Sequence, residues 1–258
     1  MKPGKLLVCV VVVVMLAACT SSAERKSKKE NATRGAVSYT ELGTEYFRQG
    51  KYELSRTKLE KALELDPDLP QAHGAIAILY EKVGETKLAE KHYKKALRLN
   101  PDNARQQNNY GQFLCFQGRY EAANKEFMKA ASNPFYASPQ VPFTNAGLCA
   151  KRVPDAEQAE QYFRKALQVD PKFAPALLQM AIVKFEAGRF LSARAYLERF
   201  QAVTEHNPES LWLAVQTEHA LRDPAASGRY AILLKKNFPK SEQAVMLLEW
   251  ENERRSGR

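Results

Sequence analysis

Residues 70–103 read PQAHGAIAILYEKVGETKLAEKHYKKALRLNPDN. Two apolar-periodic runs flank Gly84, and the stretch closes on Leu99-Asn100-Pro101. The same closure stands 34 residues upstream as Leu65-Asp66-Pro67. It returns 70 residues downstream as Val169-Asp170-Pro171, and Pro239 follows 68 further on. Gly43, Ala77, Gly111, Gly147, Ala181 and Val215 fall in phase, spaced 34, 34, 36, 34 and 34. Ser55, Ala89, Ala123, Ala159, Ala193 and Ser227 follow the same spacing, and four residues after each comes Leu59, Tyr93, Phe127, Phe163, Leu197 or Ala231.

This 34-residue period resembles the tetratricopeptide pattern, a helix–turn–helix unit that buries its apolar face only by stacking on its neighbours. A small residue in the first (A) helix lets the second (B) helix approach closely, and the large residue of B fills the space against the next repeat. Gly50, Gly84, Gly118 and Gly188 suit the turn between A and B, because glycine adopts a left-handed backbone at least cost. The closing proline stops helix B. The reading is an all-α superhelical solenoid of six repeats, 36–69, 70–103, 104–137, 140–173, 174–207 and 208–241, with a capping helix in 242–258. A two-residue insertion interrupts the period around Asn133-Pro134-Phe135-Tyr136-Ala137-Ser138-Pro139. Pro154 occupies the turn position of the fourth repeat. Ser241 is placed to N-cap the last helix, with Val245, Leu247, Leu248 and Trp250 available to seal the array.

The N-terminus has another character. Lys2 and Lys5 precede Leu6 to Ala18, an uncharged run of 13 residues that is too short to span a bilayer, which needs about 20. The run ends in Leu16-Ala17-Ala18-Cys19, which resembles the bacterial lipobox. Residues 1–18 then read as a lipoprotein signal peptide, and Cys19 as the lipidated first residue of the mature chain. Several acyl chains on one cysteine give stable anchoring, at about 0.8 kcal/mol per buried CH₂. Thr20 replaces the Asp of inner-membrane retention, so the expected location is the periplasmic face of the outer membrane. Residues 19–35 are polar, basic and without apolar periodicity, and read as a flexible tether.

Composition excludes several classes. With 45% hydrophobic and 26% charged residues the chain is not wholly disordered, and 12 glycines and 13 prolines are too few for a collagen-like polymer. The net charge of +10 is compatible with nucleic acid, a membrane surface or an acidic partner. The export signal makes nucleic acid an unsuitable ligand. No Walker loop, G-x-G-x-x-G, G-x-S-x-G or H-E-x-x-H occurs. His73, His92, His206 and His219 read as surface or core residues, with no metal site. The expectation is a binding protein, a monomer, without enzymatic activity or a cofactor beyond the covalent lipid on Cys19.

Cys115 and Cys149 lie in the A helices of repeats three and four. Adjacent A helices run side by side, so the sulfurs can meet in a disulfide that the periplasm permits; the alternative is two separate apolar fillers. A helices also line the concave face of such arrays. Positions facing that groove include Val37, Thr40, Thr44, Phe47, Arg48, Ile78, Lys82 and Phe116, with Asn108, Thr144, Leu148, Arg152 and Leu178 at matching places. The mixture suits an extended peptide or a helix laid in a groove. Members that hold a chaperone carboxylate use a Lys/Asn/Arg clamp, and the matching first-repeat positions here are Thr40 and Thr44, which argues against that partner.

The lipobox, basic tether and six repeats of this phase, with Tyr110-Gly111-Gln112-Phe113-Leu114-Cys115 and Ala146-Gly147-Leu148-Cys149, resemble the type IV pilus biogenesis and stability lipoprotein family, PilF/PilW, over essentially the whole chain. The resemblance implies a pilotin: an outer-membrane lipoprotein that captures a subunit of the pilus secretin and promotes its localisation and multimerisation, as twitching motility requires. A different reading is a repeat scaffold for outer-membrane β-barrel assembly or for envelope hydrolases.

Overall fold

The computed structural model describes residues 26–153 and 157–256. The signal 1–18, Cys19, the first residues of the tether and Pro154 lie outside them. Among the described residues every regular element is a helix. In order these are α1 (Pro3–Arg48), α2 (Tyr52–Leu65), α3 (Pro70–Lys82), α4 (Thr86–Leu99), α5 (Ala104–Phe116), α6 (Tyr120–Ala131) and α7 (Gln140–Ala150), followed by α8 (Ala156–Val169), α9 (Ala174–Glu186), α10 (Phe190–Gln201), α11 (Pro208–Ala220), α12 (Pro224–Asn237) and α13 (Glu242–Arg255). The fold is the all-α tetratricopeptide-repeat solenoid that the 34-residue period predicts. The chain divides into two compact units, Met1–Tyr110 and Gly111–Arg258.

In the first unit α1 packs on α2, α3 on α4, and α3 on both α1 and α2. The pairing depends on Gly43. A Cβ there would stand 2.7 Å from Leu59 Cγ and 3.2 Å from the Ser55 carbonyl, so no side chain fits without moving α2. Leu59 therefore does more than fill space toward the next repeat. It seats on its own A helix and also packs with Ile76 and Leu79 of α3. Gly50 and Gly84 turn the chain with φ of +72° and +83°. At the closing loop, the Asp66 carboxylate accepts from the Asp68 N–H at 3.1 Å, an Asx turn that sets up the following helix.

The later part of the tether departs from the sequence reading. From Lys26 onward it continues α1 instead of forming an irregular linker. Extending an existing helix costs no nucleation, so polar residues with good propensity join it without an apolar stripe of their own. Thr33 donates its hydroxyl to the Asp66 carboxylate at 2.7 Å, tying this stretch to the end of α2. Ala36, one turn on, is fully buried.

In the second unit α7 pairs with α8, α9 with α10 and α11 with α12, and α13 closes on α11 and α12. Gly111 and Gly147 repeat the close approach, with would-be Cβ atoms 2.7 Å from Phe127 and 2.5 Å from Phe163. Gly118 and Gly188 turn with positive φ. The sixth repeat has no glycine at this place: Arg222, 34 residues after Gly188, adopts φ 60°. The insertion forms the α6–α7 loop, where Asn133 Oδ1 accepts from the Phe135 N–H at 2.9 Å and the Phe135 ring stands 95% exposed. Ser241 caps α13 by accepting from the Ala244 N–H. Leu247 and Trp250 seal the last core, whereas Val245 and Leu248 face outward, 50% and 47% exposed. The inward arc of α13 is centred on Ala244 and Leu247, and the 100° step of the helix turns Val245 and Leu248 away from it.

Two ion pairs join successive repeats at one structural position with opposite polarity. Lys184 of α9, 8% exposed, donates to Glu160 of α8 at 2.6 Å. One period later Glu218 of α11 accepts from Arg194 of α10, with Arg194 Nε to Glu218 Oε1 at 2.8 Å. The acid lies on the B helix in the first pair and on the A helix in the second. The Lys184 bond, with Arg164 adding to it, holds the Glu160 carboxyl below the usual range.

Two outcomes follow for chemical denaturation. Arg222→Gly relieves a left-handed non-glycine residue and raises unfolding stability by about 1 kcal/mol; an unchanged urea midpoint would show that the turn carries no strain. Lys184→Glu opposes two carboxylates at a covered site and costs about 3 kcal/mol. The reversal Glu160→Lys with Lys184→Glu recovers most of that loss, less the repulsion of Arg164. A double variant as unstable as the single would mean that packing, not charge, sets the cost.

Candidate functional site

The A-helix positions of the first unit separate into exposed and covered groups. Val37, Arg48 and Lys82 are exposed, and Arg48 pairs with Glu45 at 3.3 Å. Ile78 and Thr44 are half-buried, and Thr44 returns its hydroxyl to the Thr40 carbonyl at 2.8 Å. Thr40 is buried and donates to the Ala36 carbonyl at 2.8 Å, so it offers nothing to a partner. Phe47 stacks on Tyr52, with centroids 5.7 Å apart, and packs against the Leu59, Ile76 and Leu79 cluster. It is half-buried, so part of the ring remains accessible. Asn108, in this unit, and Thr144 and Leu178, in the second, are likewise buried. The repeat template places all of these on the A-helix face, but it does not record how deeply the next helix covers each one.

The first unit also joins two histidines that the sequence leaves apart. His73 Nε2–H donates to the Pro67 carbonyl at 2.9 Å. That leaves His73 Nδ1 as the acceptor for His92 Nδ1–H at 2.8 Å. Burial pushes both imidazoles toward the neutral form, His92 to about 4 and His73 in the same direction. The neighbouring charges are divided, with Lys95, Arg98 and Lys91 opposing protonation and Asp68 favouring it. One period later Gln107 Nε2 donates to the Pro101 carbonyl at 2.6 Å, the same bond from a side chain that cannot titrate. His73 is thus a structural brace with a proton-sensitive head group. The signal in the sequence was the shared spacing of 34 between His73 and Gln107 and between Pro67 and Pro101.

The second unit has a mainly apolar cleft of about 240 Å³ between α5 and α7. Gln112, Cys115 and Phe116 form one wall, Asn145, Leu148, Cys149 and Arg152 the other, and Phe127 lies at its floor. Cys115 and Cys149 are bonded, with Cα atoms 5.9 Å apart, so the disulfide fastens one wall to the other. The Phe116 ring is 60% exposed, and the Arg152 guanidinium lies over it at 4.4 Å. Among the described residues no acidic side chain lines the cleft. Lys151, next to Arg152 in sequence, is engaged with Glu186 at 3.1 Å, whereas Arg152 has no carboxylate partner among the described residues.

Among the described residues no group of three or more His, Cys, Asp or Glu side chains is placed to hold a metal ion. Among them, too, no helix is long and apolar enough to cross a membrane. The arrangement offers apolar surface, a stacked guanidinium and amide groups, which suit recognition of a polypeptide.

Tetratricopeptide-repeat family models match residues 43–84, 70–103 and 155–218. The type IV pilus assembly protein PilF of Pseudomonas aeruginosa is 32% identical over 204 residues, 79% of this chain and 81% of that protein. The solved structure of Pseudomonas aeruginosa PilF superposes with a TM-score of 0.74 at 31% identity, covering 86% of this chain and 99% of that one. The crystal structure of PilW, described as a widely conserved type IV pilus biogenesis factor, also gives 0.74 at 31% identity, covering 83% and 98%.

The histidine pair makes stability depend on pH with a definite sign. Both folded-state values are depressed, so the contribution is fully present above the ordinary histidine value of 6.5 and fades as pH falls from there toward 4. The double substitution of His73 and His92 by Gln removes this part of the acid limb. Urea midpoints between pH 7.5 and 4.5 should fall less steeply in the variant than in the parent. Parallel curves would sink the assignment.

Proposed function

The chain belongs to the family of the type IV pilus assembly protein PilF, and from that membership we propose that it is an outer-membrane lipoprotein pilotin. In this reading the lipid on Cys19 supplies the membrane address. The repeat body captures a subunit of the pilus secretin, and holding subunits at a surface raises their effective concentration so that multimerisation is favoured. Both steps are binding events, so the role needs neither catalysis nor a cofactor besides the lipid.

The observation that carries the proposal is the length of the likeness. Identity of 32% extends over four-fifths of the relative, not over one or two repeats that many unrelated arrays share. The Cys115–Cys149 brace and the cleft beside it supply a surface for a polypeptide.

Replacing Cys19 with Ser tests the anchor and the partner together. Secretin multimer should largely disappear from the outer-membrane fraction, with the subunit recovered elsewhere. Normal secretin distribution in this variant would overturn the pilotin reading. Capture from solubilised envelopes gives a second result. A secretin subunit as the main co-purifying chain supports the proposal, and a β-barrel assembly component or cell-wall hydrolase in its place replaces it with a scaffold role.

A further inference from the structure

The cleft beside the disulfide has a chemistry of its own, and we propose that it recognises an extended segment of the protein partner in which a large apolar residue adjoins Asp or Glu. This rests on the pilotin reading only for the identity of the partner. The apolar residue enters between Phe116 and Leu148, and the carboxylate meets Arg152.

Three observations converge on that occupant. First, the cavity of about 240 Å³ has room for one large side chain, and its apolar rim is open, with Phe116 60% and Leu148 41% exposed. An aromatic residue left at the surface beside a cavity loses water when a partner covers it, which is the usual source of binding energy at an interface centre. Second, Arg152 is held by stacking instead of by an acid. The guanidinium carbon lies over the Phe116 ring at 4.4 Å, and the exposed side chain still has N–H groups to offer a carboxylate. Stacking restricts the long side chain before binding, so less entropy is lost on capture. Third, among the described residues no acidic side chain lines the cleft to repel an anion, and the whole chain carries +10.

The walls are also unusually fixed for a groove between helices. Cys115 lies one residue before Phe116, and Cys149 one residue after Leu148 and three before Arg152. The bond between the cysteines therefore sets the spacing of the groups that would hold the ligand. A site whose walls are covalently tied suits a defined side-chain pair better than a general apolar contact.

The test uses the full chain and fluorescein-labelled nine-residue peptides centred on Phe-Asp, Phe-Asn or Phe-Lys, read by anisotropy. Phe-Asp should bind, Phe-Asn about tenfold more weakly, since a charge-assisted hydrogen bond contributes about 1.5 kcal/mol or more. Phe-Lys should be weaker still. Arg152→Gln, at an exposed position, should abolish the preference for Asp while leaving the urea midpoint unchanged, and Phe116→Ala should weaken all three peptides. Equal affinity for Asp and Asn, a preference that survives Arg152→Gln, or no binding of any peptide would overturn the proposal. The pilotin reading fails separately. If the unaltered protein captures no secretin subunit but still prefers Phe-Asp, that reading falls and the cleft proposal stands. If Arg152→Gln captures secretin as well as the parent, the cleft proposal falls and the pilotin reading stands.

Discussion

The close approach of helix A to helix B within each repeat is the constraint from which the other features derive. At Gly43, Gly111 and Gly147 the large residue of helix B lies where a Cβ would be, so the interhelical distance is set by a missing methyl group. With the helices that near, Leu59, Phe127 and Phe163 become fully buried, and Leu59 reaches α3 as well. Everything that stacks on this pair inherits its spacing. The Cα separation of 5.9 Å at the Cys115–Cys149 bond belongs to a second unit in which α6 and α8 are held against α5 and α7 in this way.

Much of this was legible in the order of residues, because backbone sterics leave strong marks. Glycines at four of the A–B turns, small residues at the close approaches and prolines at four of the closures recur in phase, and the structure puts Gly50, Gly84, Gly118 and Gly188 in the left-handed region. What the interval could not convey was anything that depends on side-chain partners. Arg222 holds a glycine's conformation without being one. His73 and His92 are 19 residues apart and match no metal-binding spacing, yet their ring nitrogens meet. The continuation of α1 into 26–35 was invisible because an apolar stripe marks a helix that must pack, and a helix extended from a packed one needs none.

The candidate binding residues show the same division. A template locates the A-helix face but not the depth of cover, so Thr40, expected at a surface, is buried, and Phe47 is half-buried against a core cluster. Phe116 was expected on that face and is exposed, and its stacking with Arg152 required three-dimensional contact to see. The disulfide connects fold and site. It closes the two A helices over the interrupted stretch of the period, and the residues it brings together are neighbours of the Arg152 guanidinium.

The reversed ion pairs have a consequence for how many repeats this array can contain. Repeats of one length are geometrically interchangeable, and recombination adds or removes them without disturbing phase. Excising residues 174–207 would preserve every turn and every small residue, but would set Glu160 against Glu218, two carboxylates where one buried cation now stands between helices. Duplicating the same segment would set Arg194 against a second Lys184. Either change meets repulsion in a covered place, where it is least screened. The alternation of sign makes copy number a property that electrostatics can count, and it protects the array against a class of genetic change that steric complementarity alone would let pass.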